Sequence, residues 1–156
     1  RIGDTLSSDG PIHIEKMPRF SPEHFSRIMV PDPLRRKHLD KGLRQLSEEG
    51  AAQVFFEDIQ AGHTPIVGAV GLLQFDVLLH RLEHEYGAKA RLERLDYRHA
   101  RWVEGPAAEI RRVARGEGRL LVFDSRERPL ILFTSEWGLR HVVEKETDLA
   151  FHAFAP

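Results

Sequence analysis

Short apolar runs follow one another along the chain, some with a period of two and some with a helical period, separated by glycine, proline and small polar residues. Residues 24–30 alternate, with Phe25, Arg27 and Met29 on one face and Ile28 and Val30 on the other, which predicts a strand. Asp32 then stands as an N-cap with Pro33 at the first helical position, and Gly50 stops a helix that runs to about Glu49. Within it Leu39, Leu43 and Leu46 share one stripe that must face a core, and Lys37, Lys41 and Arg44 share the opposite one. Residues 52–56 and 66–70 predict two more strands, paired as a hairpin through the turn at 61–64. A second helix is predicted over 71–86, closed by Gly87, with a core stripe of Leu72, Phe75, Leu79, Leu82 and Tyr86.

The rest of the chain repeats the mixture. Strands are predicted at 88–95 and 99–103, a short helix at 107–114, and a hairpin from 120–123 and 130–133. A helix at 135–146 and a strand at 149–154 follow. The order strand–helix–strand, strand–helix–strand over residues 24–95 is that of a ferredoxin-like split βαβ unit. The fold class is therefore α+β: this unit with an additional α+β portion, a mainly antiparallel sheet and helices on one face. Residues 18–22 bring the chain in through an extended, proline-punctuated entry. Residues 1–17 are turn-rich and separate from this domain, and the opening Arg1-Ile2-Gly3-Asp4 reads as starting inside a longer protein.

Composition narrows the function classes. With 156 residues there is room for one well-cored domain, and 30% charged residues favour solubility. Lys and Arg number 23 against 24 acids, so any contact with phosphate must come from a local patch. Cysteine is absent, which removes disulfides, thiolate metal sites and a cysteine nucleophile, and is compatible with a cytoplasmic setting. No run approaches the roughly 20 apolar residues of a membrane span.

Candidate chemistry is sparse. Gly68-Ala69-Val70-Gly71 lacks the Lys of a phosphate-binding loop and the third glycine of a dinucleotide fingerprint, so these read as packing glycines. His80 and His84 are one helical turn apart and face away from the core stripe, together with Leu73 and Val77. Two imidazoles at this spacing can hold a metal, but a third ligand is not evident; a docking face covered by another domain fits the apolar neighbours better. Glu48-Glu49 and the scattered serines and histidines form no recognisable acid–base pair or triad. The stripe Lys37, Lys41, Arg44, flanked by Arg35 and Arg36, could follow a nucleic-acid backbone, or be a solvated helix face. A looser cluster comprises Arg98, Arg101, Arg111, Arg112 and Arg115, with Trp102 available to stack or, more in keeping with its type, to be buried.

Four segments carry a family resemblance. They are Phe20-Ser21-Pro22-Glu23; Asp32-Pro33-Leu34 with Lys41-Gly42-Leu43-Arg44-Gln45-Leu46-Ser47-Glu48-Glu49-Gly50-Ala51; Gly68-Ala69-Val70-Gly71-Leu72-Leu73-Gln74-Phe75-Asp76-Val77; and Ala100-Arg101-Trp102-Val103-Glu104. In this order and spacing the chain resembles the peptide chain release factor 3 family, the class II release factors of bacteria. Ile2-Gly3-Asp4-Thr5-Leu6 looks like the end of the β-barrel domain of translational GTPases. The resemblance implies that residues 1–17 end a preceding β-barrel domain and linker, and that 18–156 are the third, C-terminal domain. It further implies a cytoplasmic protein whose absent N-terminal domain binds GTP or GDP with Mg²⁺, and which removes class I release factors from the ribosome. The present residues would then hold no cofactor and carry no catalysis. Their implied partners are small-subunit RNA and protein and the upstream GTPase and barrel domains. Arg35, Arg36, Lys37, Lys41, Arg44, Arg98 and Arg101 become the candidates for ribosome contact, and Leu73, Val77, His80 and His84 those for docking between domains.

Overall fold

The computed structural model describes residues 21–57 and 64–156. The reading of residues 1–17 and most of the turn at 61–64 lie outside the described residues. Strand β1 (His24–Met29) leads through Asp32 into a 3-10 turn, Pro33–Arg35, and helix α1 (Arg36–Glu48). The Asp32 carboxylate accepts from the Leu34 N–H at 2.9 Å, as its capping position requires. At the other end Gly50 takes φ 84°, and Ala51 N–H donates back to the Leu46 carbonyl at 2.9 Å. That pattern satisfies the last carbonyls of the helix and stops it. β2 (Gln53–Glu57) and β3 (Ile66–Ala69) pair antiparallel, and α2 (Leu73–Tyr86) ends at Gly87 with φ 67°.

After α2 come β4 (Arg91–Arg94), β5 (His99–Glu104), α3 (Ala107–Ala114), β6 (Arg119–Phe123), β7 (Pro129–Phe133), α4 (Glu136–Lys145) and β8 (Ala150–His152). All eight strands form one antiparallel sheet in the order β4-β1-β3-β2-β6-β7-β5-β8. The first four are the ferredoxin-like unit expected from the sequence. β2 joins the two halves: Gln53, Val54 and Phe55 pair with β3, whereas Phe56 and Glu57 pair with β6.

Three apolar clusters hold this sheet. α1 and α2 bury Leu39, Leu43, Leu46, Phe75, Leu78 and Leu82 against Ile28, Val54 and Val67. α3 and α4 bury Ile110, Val113, Leu139 and Val142 against Val103, Ile131 and Phe133. Each half thus carries its helices on one face. The helix-free faces meet, and Phe25, Phe55 and Ile66 pack with Trp102, Val122, Leu130 and Leu132. Each such side chain, removed from water, contributes about 1.5–3 kcal/mol. The middle cluster therefore fastens the two halves, between which the strand pairing of β2 with β6 is short.

The α2 stripe differs from expectation at one end. Leu72 is 50% exposed and Leu78 is buried. Leu72 precedes the first helical residue, so the core-facing row starts at Phe75 and continues through Leu78, Leu79, Leu82 and Tyr86. β4 also begins later than predicted, at Arg91, after an extended segment in which Ala88 is buried.

Candidate functional site

On α1 the leucine stripe is buried and Lys37, Lys41 and Arg44 are exposed, as their spacing demands. The structure then divides the basic residues among three directions. Lys37 and Lys41 form the crest and have no ion-pair partner among the described residues. Arg36, paired with Asp40 at 3.7 Å, and Arg44 line a groove of about 740 Å³ beside Phe56 and Arg126. Arg35 turns the other way, into a cleft of about 540 Å³ that it shares with Lys89 and Arg91.

The second basic cluster does not form one patch. Arg101 is half-buried; its guanidinium donates to the Ala100 carbonyl at 2.8 Å and to the Ser21 hydroxyl at 3.5 Å, and burial lowers its pKa. Arg112 is held by Glu146 at 2.7 Å and by Glu109 at 2.8 Å, which raises its pKa. Arg98, just before β5, is exposed. Trp102 is buried, and its indole N–H is engaged by Asp124.

The outward face of α2 carries Leu73 at 76% exposure and Val77 at 54%, with Val70 and Leu72 also exposed beside them. His80 and His84 continue the same face, their rings stacked with centroids 4.1 Å apart. Nδ1 of His84 lies 3.2 Å from the His80 carbonyl oxygen. Among the described residues no group of three or more His, Asp and Glu side chains could hold a metal ion. Behind this face Arg81 bonds Glu85 at 2.9 Å and Glu49 at 3.0 Å, tying α2 to the end of α1. The hydrogen bond from Arg81 holds the Glu85 carboxyl below the usual range.

Two features escaped the sequence reading. Trp137 on α4 is 75% exposed and stacks on His141 with centroids 5.3 Å apart. Its place opposite Leu139 and Val142 in the helical period is a signal that could have found it. The meeting of Arg35 with Lys89 and Arg91 had no such signal, because it depends on which strands are neighbours.

The family model described as class II release factor RF3, C-terminal domain, matches residues 14–143. Relatives named peptide chain release factor 3 include those of Symbiobacterium thermophilum, 49% identical over 156 residues, Acaryochloris marina, 41% over 155, and Nostoc punctiforme, 39% over 155. Each alignment covers 99% of this chain and 29% of the relative. The chain belongs to the family of class II release factor C-terminal domains. It spans less than a third of the length of these relatives.

Proposed function

We propose that this domain is the ribosome-facing C-terminal part of a GTP-dependent translation termination factor that promotes departure of class I release factors. Nucleotide and Mg²⁺ belong, on this reading, to an N-terminal domain outside the present sequence, and the protein works in the cytoplasm. Residues 18–156 act as a rigid lever: nucleotide-driven rotation upstream moves them, and their basic face bears on ribosomal RNA or protein. The observation that carries this reading is the exposed Lys37–Lys41–Arg44 row, set opposite a leucine stripe that fixes its direction. Three cations on a rigid helix can track a phosphate backbone, and their effect must be salt-dependent.

The test is ribosome binding by K37A/K41A/R44A across a salt series. Each lost phosphate contact reduces the slope of log K against log salt by about 0.7–0.9. Unchanged binding and slope would remove this face from the contact. For the whole factor, deletion of residues 18–156 is expected to leave ribosome-stimulated GTP hydrolysis and abolish release of the class I factor.

A second reading is favoured by the exposed apolar face of Leu73 and Val77. There the domain holds the upstream domains in place, and His80 and His84 belong to the covered surface. It predicts tolerance of changes in the basic row and sensitivity at Leu73 and Val77.

A further inference from the structure

A cleft lies between the β1–α1 and α2–β4 connections. Met29 and Arg91 are cross-strand partners, so the segment leaving β1 and the segment entering β4 lie at the same end of the sheet. This register brings Arg35 from the 3-10 turn beside Lys89 and Arg91, and the left-handed Gly87 lets the chain turn there. Two acids, Asp32 and Glu83, share the lining, and the remainder is apolar. Asp32 is occupied in capping the Leu34 N–H at 2.9 Å, and among the described residues neither acid ion-pairs with the three cations. Among the described residues, three positive heads therefore open on one concavity without an ion-paired carboxylate.

We propose that the Arg35–Lys89–Arg91 cleft is a binding site for the phosphodiester backbone of RNA. The inference rests on the ribosome-facing reading and gives that contact a place separate from the α1 crest. A strand of RNA suits the site better than a single phosphorylated side chain. The edge strand β4 continues with exposed Arg94, so that Lys89, Arg91 and Arg94 face only Glu93 along residues 89–94. Successive phosphates can use such a track, whereas one phosphate cannot. Among the described residues no aromatic ring lines the cleft, so the contact is with backbone and carries no sequence preference.

The experiment measures binding of the chain to purified small ribosomal subunits, and to RNA extracted from them, over a salt series. R35A/K89A/R91A is expected to lower the salt slope by about 2–3 on both, and K89A alone, in an exposed connection, by about 1. R35K/K89R/R91K should retain the slope, since the attraction is to charge. An unchanged slope in both alanine variants, with loss in K37A/K41A/R44A, overturns the cleft while leaving the functional reading intact. Loss on subunits without any binding to extracted RNA assigns the contact to a ribosomal protein and overturns the RNA proposal. If the unaltered chain shows no salt-dependent binding to subunits, the ribosome-facing reading fails, and the cleft fails with it. Thermal melting of each variant separates lost contact from lost fold.

Discussion

The Trp102 indole N–H donates to a carboxylate oxygen of Asp124 at 3.0 Å, reaching from β5 across β7 to the residue that follows β6. The same carboxylate accepts from the Arg126 and Arg128 backbone N–H groups, each at 2.9 Å, and from the Arg128 guanidinium at 2.9 Å. Trp102 belongs to the cluster that fastens the two halves, so this bond ties the β6–β7 turn to the middle of the molecule. Trp102→Phe keeps most of the apolar volume and leaves the acceptor behind. It is expected to cost about 1.5–3 kcal/mol, the range for a hydrogen bond to a charged group. Urea unfolding should show a lower midpoint with an unchanged slope; a midpoint that does not move would mean the bond contributes nothing.

Asp124 also gives the fold an acid limb. Burial works against its charge, but the bonds from Trp102, the Arg128 and Arg126 backbones and the Arg128 side chain together hold its pKa below the usual range. A carboxylate whose folded pKa is depressed contributes stability above its unfolded value, about 3.9, and loses it as pH falls through the folded value. Asp124→Asn is therefore destabilising at neutral pH, and its deficit should shrink below about pH 4. Denaturant melts of both proteins from neutral to acid pH check this; a deficit constant with pH would sink the assignment.

Gly42 sits inside α1, where glycine costs about 1 kcal/mol relative to alanine. Its reason is the neighbour: an added Cβ would meet Leu82 Cδ2 at 2.7 Å and the Tyr86 ring at 3.0 Å. Leu82 is fully buried and has no room to yield. Gly42→Ala should destabilise by about 1–3 kcal/mol despite its better helix propensity. A rise in melting temperature would show that α1 and α2 can move apart.

Gly68 and Gly71 lie in the same glycine-bearing segment with opposite expectations. A Cβ at Gly68 would lie 2.7 Å from Pro22 Cγ and 2.9 Å from Phe55 Cε2, whereas at Gly71 none of the described residues lies within 4 Å. Gly68→Ala should cost about 1–3 kcal/mol through overpacking. Gly71→Ala should stay within about 0.5 kcal/mol, being an exposed-side change with no clash. Equal effects in thermal melts would contradict this division.

The double change L73S/V77S removes apolar surface that touches no core. The melting temperature of the chain should fall only slightly, because Leu73 and Val77 are mostly in water and what remains is the small helix-propensity difference. If these residues are instead covered by upstream domains, the full-length factor should show faster proteolysis between domains. Unchanged proteolysis would leave the patch without a docking role.

Local pattern determined much of this protein. Capping at Asp32-Pro33, the stops at Gly50 and Gly87 and the leucine stripe of α1 are consequences of backbone chemistry within a few residues, and they stand where the sequence places them. The ferredoxin-like order was legible for the same reason: alternation and helical period identify each element without knowing its neighbours. The family strings were legible as letters. Tertiary structure alone decided that β2 changes partner at Phe56, that Trp102 finds Asp124 across an intervening strand, and that Leu78 replaces Leu72 in the core. It also sent Arg35, Arg36 and Lys37 in three directions and brought Arg35 to Lys89 and Arg91. These contacts join residues far apart in the chain, and strand order and register, which no local period encodes, determine which of them meet.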